Sequence, residues 1–328
     1  MRLAVLFVTL IIAGGAQPRV TAVVSAADSI GGISLGGLAT IYGTGLSDAA
    51  YSLSGLPYPT KLGPTEVLLC VPSAAPYGSV AGCTNAGLTY ASPTQINFAI
   101  PDSLPVLPGM GPESIAIVVR TNGVLDVDAT AGKARVFNLT LVQPRIFSEG
   151  YDCLTDARYK DANLNCGLTF TSTLPLHAQA DRGAVTDQFG AVLSSVNRAR
   201  VGQYYTIWLT GLGPFTSAKT VAPVSPVALA FGDVPVYGYS GPTSLSATVS
   251  YVGPSQYPGL YQINFQLPGT VAAGGGVGFA SPYSTPFPCG DYNWEISLIA
   301  SQGTMYPTRA NVVQIPVAVK NGDVPCTK

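Results

Sequence analysis

Charge is scarce in this chain. Only 10% of its 328 residues are Asp, Glu, Lys or Arg, and the net charge is −1. The 16 Lys and Arg form no basic cluster, which removes the electrostatic footprint of a nucleic-acid-binding surface. Histidine is scarcer still. The single one, His177, cannot build a two-histidine zinc motif, and no pair of cysteines has the Cys-x-x-Cys spacing of a tetrahedral site. No window of a dozen residues carries an apolar stripe at helical spacing, so helices are not expected to build the core. Beyond the first 16 residues no apolar run reaches the roughly 18 residues of a membrane helix.

What is present points to strands and turns. Glycine (37) and proline (27) are abundant and 47% of residues are hydrophobic, a composition of neither a disordered polyelectrolyte nor a coiled coil. Apolar residues alternate with a period of two in "SIAIVVRT" (114–121), "ARVFNLTLV" (134–142) and "VVQIPVAV" (312–319). Gly, Pro, Asn or Ser bound these runs. Several short strands at regular spacing favour a sandwich or barrel.

The pattern also repeats. Gln95, Ile96, Asn97, Phe98 and Pro101 recur as Gln262, Ile263, Asn264, Phe265 and Pro268, a displacement of 167. Upstream, Gly36, Thr40, Ile41, Thr44, Gly45 and Leu46 recur as Gly202, Thr206, Ile207, Thr210, Gly211 and Leu212, a displacement of 166. Two matches so nearly in step predict a duplicated domain. In "YQINFQLP" the apolar face carries Ile263, Phe265 and Leu267, while Gln262, Asn264 and Gln266 face away.

These same residues resemble a known family. "VVSAADS" (23–29), "IYGTGL" (41–46), "SPTQINFAIP" (92–101) and "QPRIF" (143–147) are similar to the start, the two strands and the ending of the Solibacter-type C-terminal domain of acidobacterial secreted proteins. A second copy keeps "WLTGLG" (208–213) and "GLYQINFQLP" (259–268). The resemblance implies an exported, immunoglobulin-like β-sandwich, often an accessory to other extracellular modules, and brings no catalytic residues. The expected fold class is therefore all-β, with two tandem immunoglobulin-like sandwiches.

"MRLAVLFVTLIIAGGA" has one positive charge, an apolar run from Leu3 to Ile12 and small residues before Gln17. It reads as a secretory signal cleaved after Ala16. The expected organisation is a signal peptide (1–16), a first sandwich (17–147), a disulfide-stapled linker (148–177), a second sandwich (178–320) and a tail (321–328). Six cysteines in an exported chain are expected to be bridged. Six allow 15 connectivities, and spacing suggests Cys70–Cys83, Cys153–Cys166 and Cys289–Cys326. A bridge closing a loop of about 15 residues is worth about 3 kcal/mol on the chain-entropy model.

Chemistry-bearing constellations are few. "GISLG" (32–36) has the form of a nucleophile elbow around Ser34, but it lies in a Gly-rich turn before a strand rather than between a strand and a helix. Asp152, Asp156, Asp161, Asn163 and Asn165 supply hard oxygens for a candidate calcium loop, yet lack the order of an EF-hand; no other cofactor is expected. Asn138 in "NLT" is a glycosylation sequon in form only.

Three function classes remain open. The first is a non-enzymatic extracellular structural, assembly or adhesion protein, a subunit of a filament or surface layer that forms a homo-oligomer or polymer through β-edges. The segment from Gln17 through Val20, Val23 and Val24 would then pair with a sheet edge, its own or a neighbour's. The second is a carbohydrate- or protein-binding module with Tyr237, Tyr239, Tyr257 and Tyr283 as stacking faces. The third, least favoured, is a hydrolase.

Overall fold

The computed structural model describes residues 17–29, 32–70, 83–104, 113–130, 134–140, 142–148, 181–194, 196–213, 215–217, 220–223, 227–232, 244–267, 290–300, 308–309 and 313–320. The signal segment and the tail lie outside them. The chain is nearly all β. Its first part comprises β1 (Arg19–Ser25), β2 (Ile33–Ser34), β3 (Leu38–Thr44), β4 (Tyr51–Ser52), β5 (Thr65–Cys70), β6 (Thr84–Asn85), β7 (Gly87–Ala91), β8 (Gln95–Ala99), β9 (Glu113–Thr121), β10 (Val124–Leu125), a four-residue helix α1 (Val127–Thr130) and β11 (Val136–Thr140). Then follow β12 (Arg145–Ile146), β13 (Asp181–Arg182), β14 (Val185–Asp187), β15 (Ala199–Arg200), β16 (Tyr204–Thr210), β17 (Phe215–Ser217), β18 (Thr220–Pro223), β19 (Val227–Gly232), β20 (Ser244–Ser246), β21 (Thr248–Pro254), β22 (Tyr261–Gln266), β23 (Gly290–Ala300), β24 (Thr308–Arg309) and β25 (Val313–Val319).

Two sheets, β1-β3-β8-β7-β4 and β2-β11-β9-β5-β6, make a first sandwich. Ile41, Ile96 and Phe98 from one sheet and Val67, Ile115, Ile117 and Leu139 from the other share one core. A second pair, β12-β16-β22-β21 and β13-β25-β23-β19-β20, encloses a separate core containing Ile207, Ile263, Phe265, Ile296, Ile315 and Val317. Burying each such side chain is worth about 1.5–3 kcal/mol. The repeated Ile and Phe are fully buried in both halves, because the strand period of two sends them to the inner face together.

The topology repeats with the motif. β3 pairs with β8, setting Thr40 opposite Asn97 and Ile41 opposite Ile96; β16 pairs with β22, setting Thr206 opposite Asn264 and Ile207 opposite Ile263. A short parallel strand closes the other sheet of each half, β2 on β11 and β15 on β25. A bulge recurs too, between Leu88 and Tyr90 and between Val249 and Tyr251.

The boundary between the halves differs from the sequence expectation. "QPRIF" does not end the first sandwich: Arg145 and Ile146 pair with Thr210 and Leu209 of β16, and Ile146 is fully buried in the second core. Further along the same edge of β16, Val185, Thr186 and Asp187 of β14 pair with Ile207, Thr206 and Tyr205. The first strand of the second sandwich is thus split in two. In the first sandwich β1 makes the whole edge, with Arg19 opposite Thr44 and Val23 opposite Ile41. Residues 148–177, expected to link two domains, are therefore part of an insertion within one strand of the second. Ser148 bridges Gly183 where the chain leaves and returns.

Candidate functional site

Since Ile and Phe of the repeated strand fill the cores, its Gln and Asn face outward. On the first sandwich the Thr40 hydroxyl donates to Asn97 Oδ1 (3.1 Å) and Gln95 Nε2 donates to the same oxygen (2.8 Å). On the second, Thr206 donates to Asn264 Oδ1 (2.9 Å). The bulges present a hydroxyl to the same residues, Thr89 donating to the Asn97 carbonyl and Ser250 to that of Asn264, each at 3.2 Å. Cross-strand pairs of this kind contribute roughly 0.2–1 kcal/mol each.

Aromatic rings flank this polar row in both halves. Register places Tyr42 opposite Gln95 and Tyr90 opposite Asn97; it places Trp208 opposite Gln262 and Tyr251 opposite Asn264. The second face is the more fixed. Trp208 Nε1 donates to Thr186 Oγ1 (3.1 Å) and the Tyr251 hydroxyl donates to the Pro254 carbonyl (3.1 Å). A Cβ on Gly253 would lie 2.6 Å from Tyr251 Cζ, so the ring lies along the strand over that glycine. Tyr204, 51% exposed, continues the face beside Gln266, whose Nε2 donates to the Gly202 carbonyl (2.8 Å). Among these outward side chains none is charged.

The sandwiches meet through their glycine turns. The Leu38 N–H donates to Thr210 Oγ1 (2.7 Å), which donates to the Gly259 carbonyl (2.8 Å). The buried Tyr261 hydroxyl lies 3.1 Å from the carbonyls of both Gly36 and Gly213. Gln143 N–H donates to the Gly211 carbonyl (2.8 Å), Ser148 N–H to that of Ala27 (3.2 Å), and Arg145 pairs with Asp28 (3.1 Å). Burial, with the nearby Asp102 carboxylate adding to it, pushes the Tyr261 hydroxyl far up. Burial also raises Asp102; the residue is exposed overall, but a Cβ on Gly36 would meet its Oδ1 at 2.2 Å.

The residues singled out in the sequence fall as follows. Cys70 and Cys83 are joined by a disulfide, whereas Cys153, Cys166, Cys289 and Cys326 lie outside the described residues. So do Asp152, Asp156, Asp161, Asn163 and Asn165, and no cluster of three or more potential metal ligands occurs among the described residues. Tyr237, Tyr239 and Tyr283 also fall outside them; Tyr257 is 44% exposed in the turn after β21. Of the two edges open to the N-terminal segment, it occupies its own: Val20 and Val23 are buried in the first core, Val24 is buried opposite Thr40, and Gln17 Nε2 donates to the Leu125 carbonyl and Thr130 Oγ1. Ser34 is buried in β2, beside Gly37 and Gly211 at the junction, and its chain continues into β3 rather than a helix. Asn138 is exposed on β11.

Sequence reasoning missed the aromatic face, although the displacement of 166 already carries Tyr42 onto Trp208. It also missed a third repeat, "QPRV" (17–20) and "QPRI" (143–146), displaced by only 126. The insertion in the second copy's first strand conceals it. Among the described residues no helix is long and apolar enough to cross a membrane.

No family model and no curated protein matches this chain. Among solved structures, the C-terminal domain of the Streptococcus pyogenes antigen I/II-family protein AspA is similar at 8% identity and a TM-score of 0.19, covering 92% of this chain and 99% of that one. A chain described as BspA_C_mut is similar at 9% identity and a TM-score of 0.17, covering 92% of this chain and 82% of that one.

Proposed function

We propose that this chain is a secreted, non-enzymatic adhesion or scaffold protein of the cell exterior, built of two immunoglobulin-like sandwiches that act as one stiff unit. The order β1-β3-β8-β7 against β11-β9-β5, with β2 crossing to pair parallel with β11, supports the immunoglobulin-like reading, since that fold sets A-B-E-D against C-F-G. The observation that carries the functional reading is the junction. Only residues 141–144 separate β11 of one sandwich from β12 of the next, and the hydrogen bonds of Leu38 with Thr210 and of Tyr261 with Gly36, together with the Arg145–Asp28 ion pair, tie the two together. Inter-domain motion is the default for linked domains; suppressing it suits a protein that bears or transmits load. The sparse charge fits a surface partly covered in use.

The test is purification of the mature chain, electron microscopy, sizing chromatography and fractionation of the producing cells. Retention at the cell surface, with filaments, sheets or a particle of fixed shape, is expected. Recovery only from the cytoplasm, or two sandwiches that tumble independently, overturns the reading.

A further inference from the structure

The cores of both sandwiches require Ile and Phe from the repeated strand, but nothing in core packing requires the residues between them. Yet the outward set is kept in both copies: Thr40, Gln95 and Asn97 with Tyr42 and Tyr90, then Thr206, Gln262 and Asn264 with Trp208 and Tyr251. Internal hydrogen bonds account for Thr and Asn. They fix the polar edges of Trp208 and Tyr251 but give the ring faces no partner, and they leave out Gln262, whose side chain makes no hydrogen bond among the described residues.

We propose that the outer face formed by Trp208, Thr206, Gln262, Asn264 and Tyr251 binds an uncharged, extended polysaccharide, which would be the attachment target of the adhesion protein proposed above and rests on that reading. Four observations converge on that ligand. Trp208 and Tyr251 sit on strands either side of β22, Trp208 opposite Gln262 and Tyr251 opposite Asn264, so they are two strand spacings apart across the sheet and two residues apart along it, about 12 Å on the diagonal, a span that sugars two apart on one chain can bridge. The amide of Gln262 and the Thr206–Asn264 pair lie between the rings, offering donors and acceptors to hydroxyl groups. Both rings are pinned by hydrogen bonds to Thr186 and Pro254 before any ligand arrives, and binding to a preorganised face forfeits less conformational entropy. Finally, a face without charge complements a neutral polyol, whereas a polyphosphate or acidic polymer would need cations to meet it.

Depletion of the purified mature chain from solution by insoluble cellulose, insoluble chitin and calcium alginate beads tests this. Retention by at least one of the two neutral polymers and none by alginate is expected. Trp208→Ala or Tyr251→Ala should weaken retention about tenfold, within the range by which removing an aromatic weakens its stacking on a nucleobase. Trp208→Phe should keep most of it, and Gln262→Ala should weaken it with unchanged thermal unfolding, which separates binding from folding. No retention on either neutral polymer, or equal retention by the Trp208→Ala/Tyr251→Ala double variant, overturns the proposal. So does a dimer in sizing chromatography that Trp208→Ala dissolves, since the face would then belong to a second copy. The two readings fail separately: surface retention that ignores Trp208 refutes only the glycan face, and glycan binding by a protein confined to the cytoplasm refutes only the adhesion reading.

Discussion

Gly211 and Gly202 offer a matched pair of perturbations for the junction. Both have φ of +79°, where any side chain costs about 1–2 kcal/mol. Their surroundings differ. A Cβ at Gly202 meets nothing within 4 Å, whereas at Gly211 it would lie 2.1 Å from the Gln143 carbonyl oxygen and 2.8 Å from Ser34 Oγ. The carbonyl belongs to the backbone and cannot turn aside, so Gly211→Ala must also displace the segment that joins the sandwiches and crowd Ser34 of the first one. That breaks the bond from Gln143 N–H to the Gly211 carbonyl, worth about 0.5–1.5 kcal/mol. Gly202→Ala should therefore cost about 1–2 kcal/mol and Gly211→Ala about 1.5–3.5 kcal/mol. Urea unfolding followed by tryptophan fluorescence is the assay, because both tryptophans, Trp208 and Trp294, belong to strands of the second sandwich. With a urea slope of about 1–3 kcal/mol/M, a difference of about 1 kcal/mol separates the midpoints by about 0.3–1 M. Limited proteolysis should at the same time cut Gly211→Ala faster between residues 141 and 144. Coincident midpoints and equal cleavage in the two variants would refute the tight junction.

Two further outcomes are expected. Phe98→Ala and Phe265→Ala, each removing a fully buried ring, should cost about 3–5 kcal/mol, and only Phe265→Ala should move the tryptophan transition strongly; a loss below 1 kcal/mol by calorimetry would contradict the core assignment. Burial raises Asp102 above its unfolded value, so folding favours the neutral acid: its contribution is fully present below the unfolded pKa of about 4 and is lost as pH rises through the folded value. Asp102→Asn should flatten the slope of stability against pH just above 4, and an unchanged slope in titrated thermal melts would exclude that residue as its source.

The residues that sequence reasoning handled well were those governed by one strand. Alternation in "YQINFQLP" sorts Ile263 and Phe265 inward and Gln262 and Asn264 outward, and the structure places them so. Relations between strands were harder to see. The twin bulges align Tyr90 with Tyr251 at a displacement of 161, yet "GLTYAS" (87–92) and "TVSYVG" (248–253) share only that tyrosine. At both bulges a hydroxyl reaches the facing carbonyl, and Thr89 and Ser250 make that bond equally well although the residue type differs. The linker between the sandwiches was misplaced because proximity in sequence favoured Cys153 and Cys166 as its marks. The pairing of Ile146 with Leu209, which assigns that strand to the second sandwich, is made across more than sixty positions and leaves no local signal.

The split first strand of the second sandwich also makes that strand a natural acceptor of new sequence. Its two pieces are each held by β16, and the bridge from Ser148 to Gly183 keeps the chain ends together at the point of departure. Closing a loop between fixed ends costs only about 0.6 kcal/mol more for each doubling of its length. The length of the chain between those ends can therefore change at little cost while Arg145, Ile146 and Val185–Asp187 keep their register on β16.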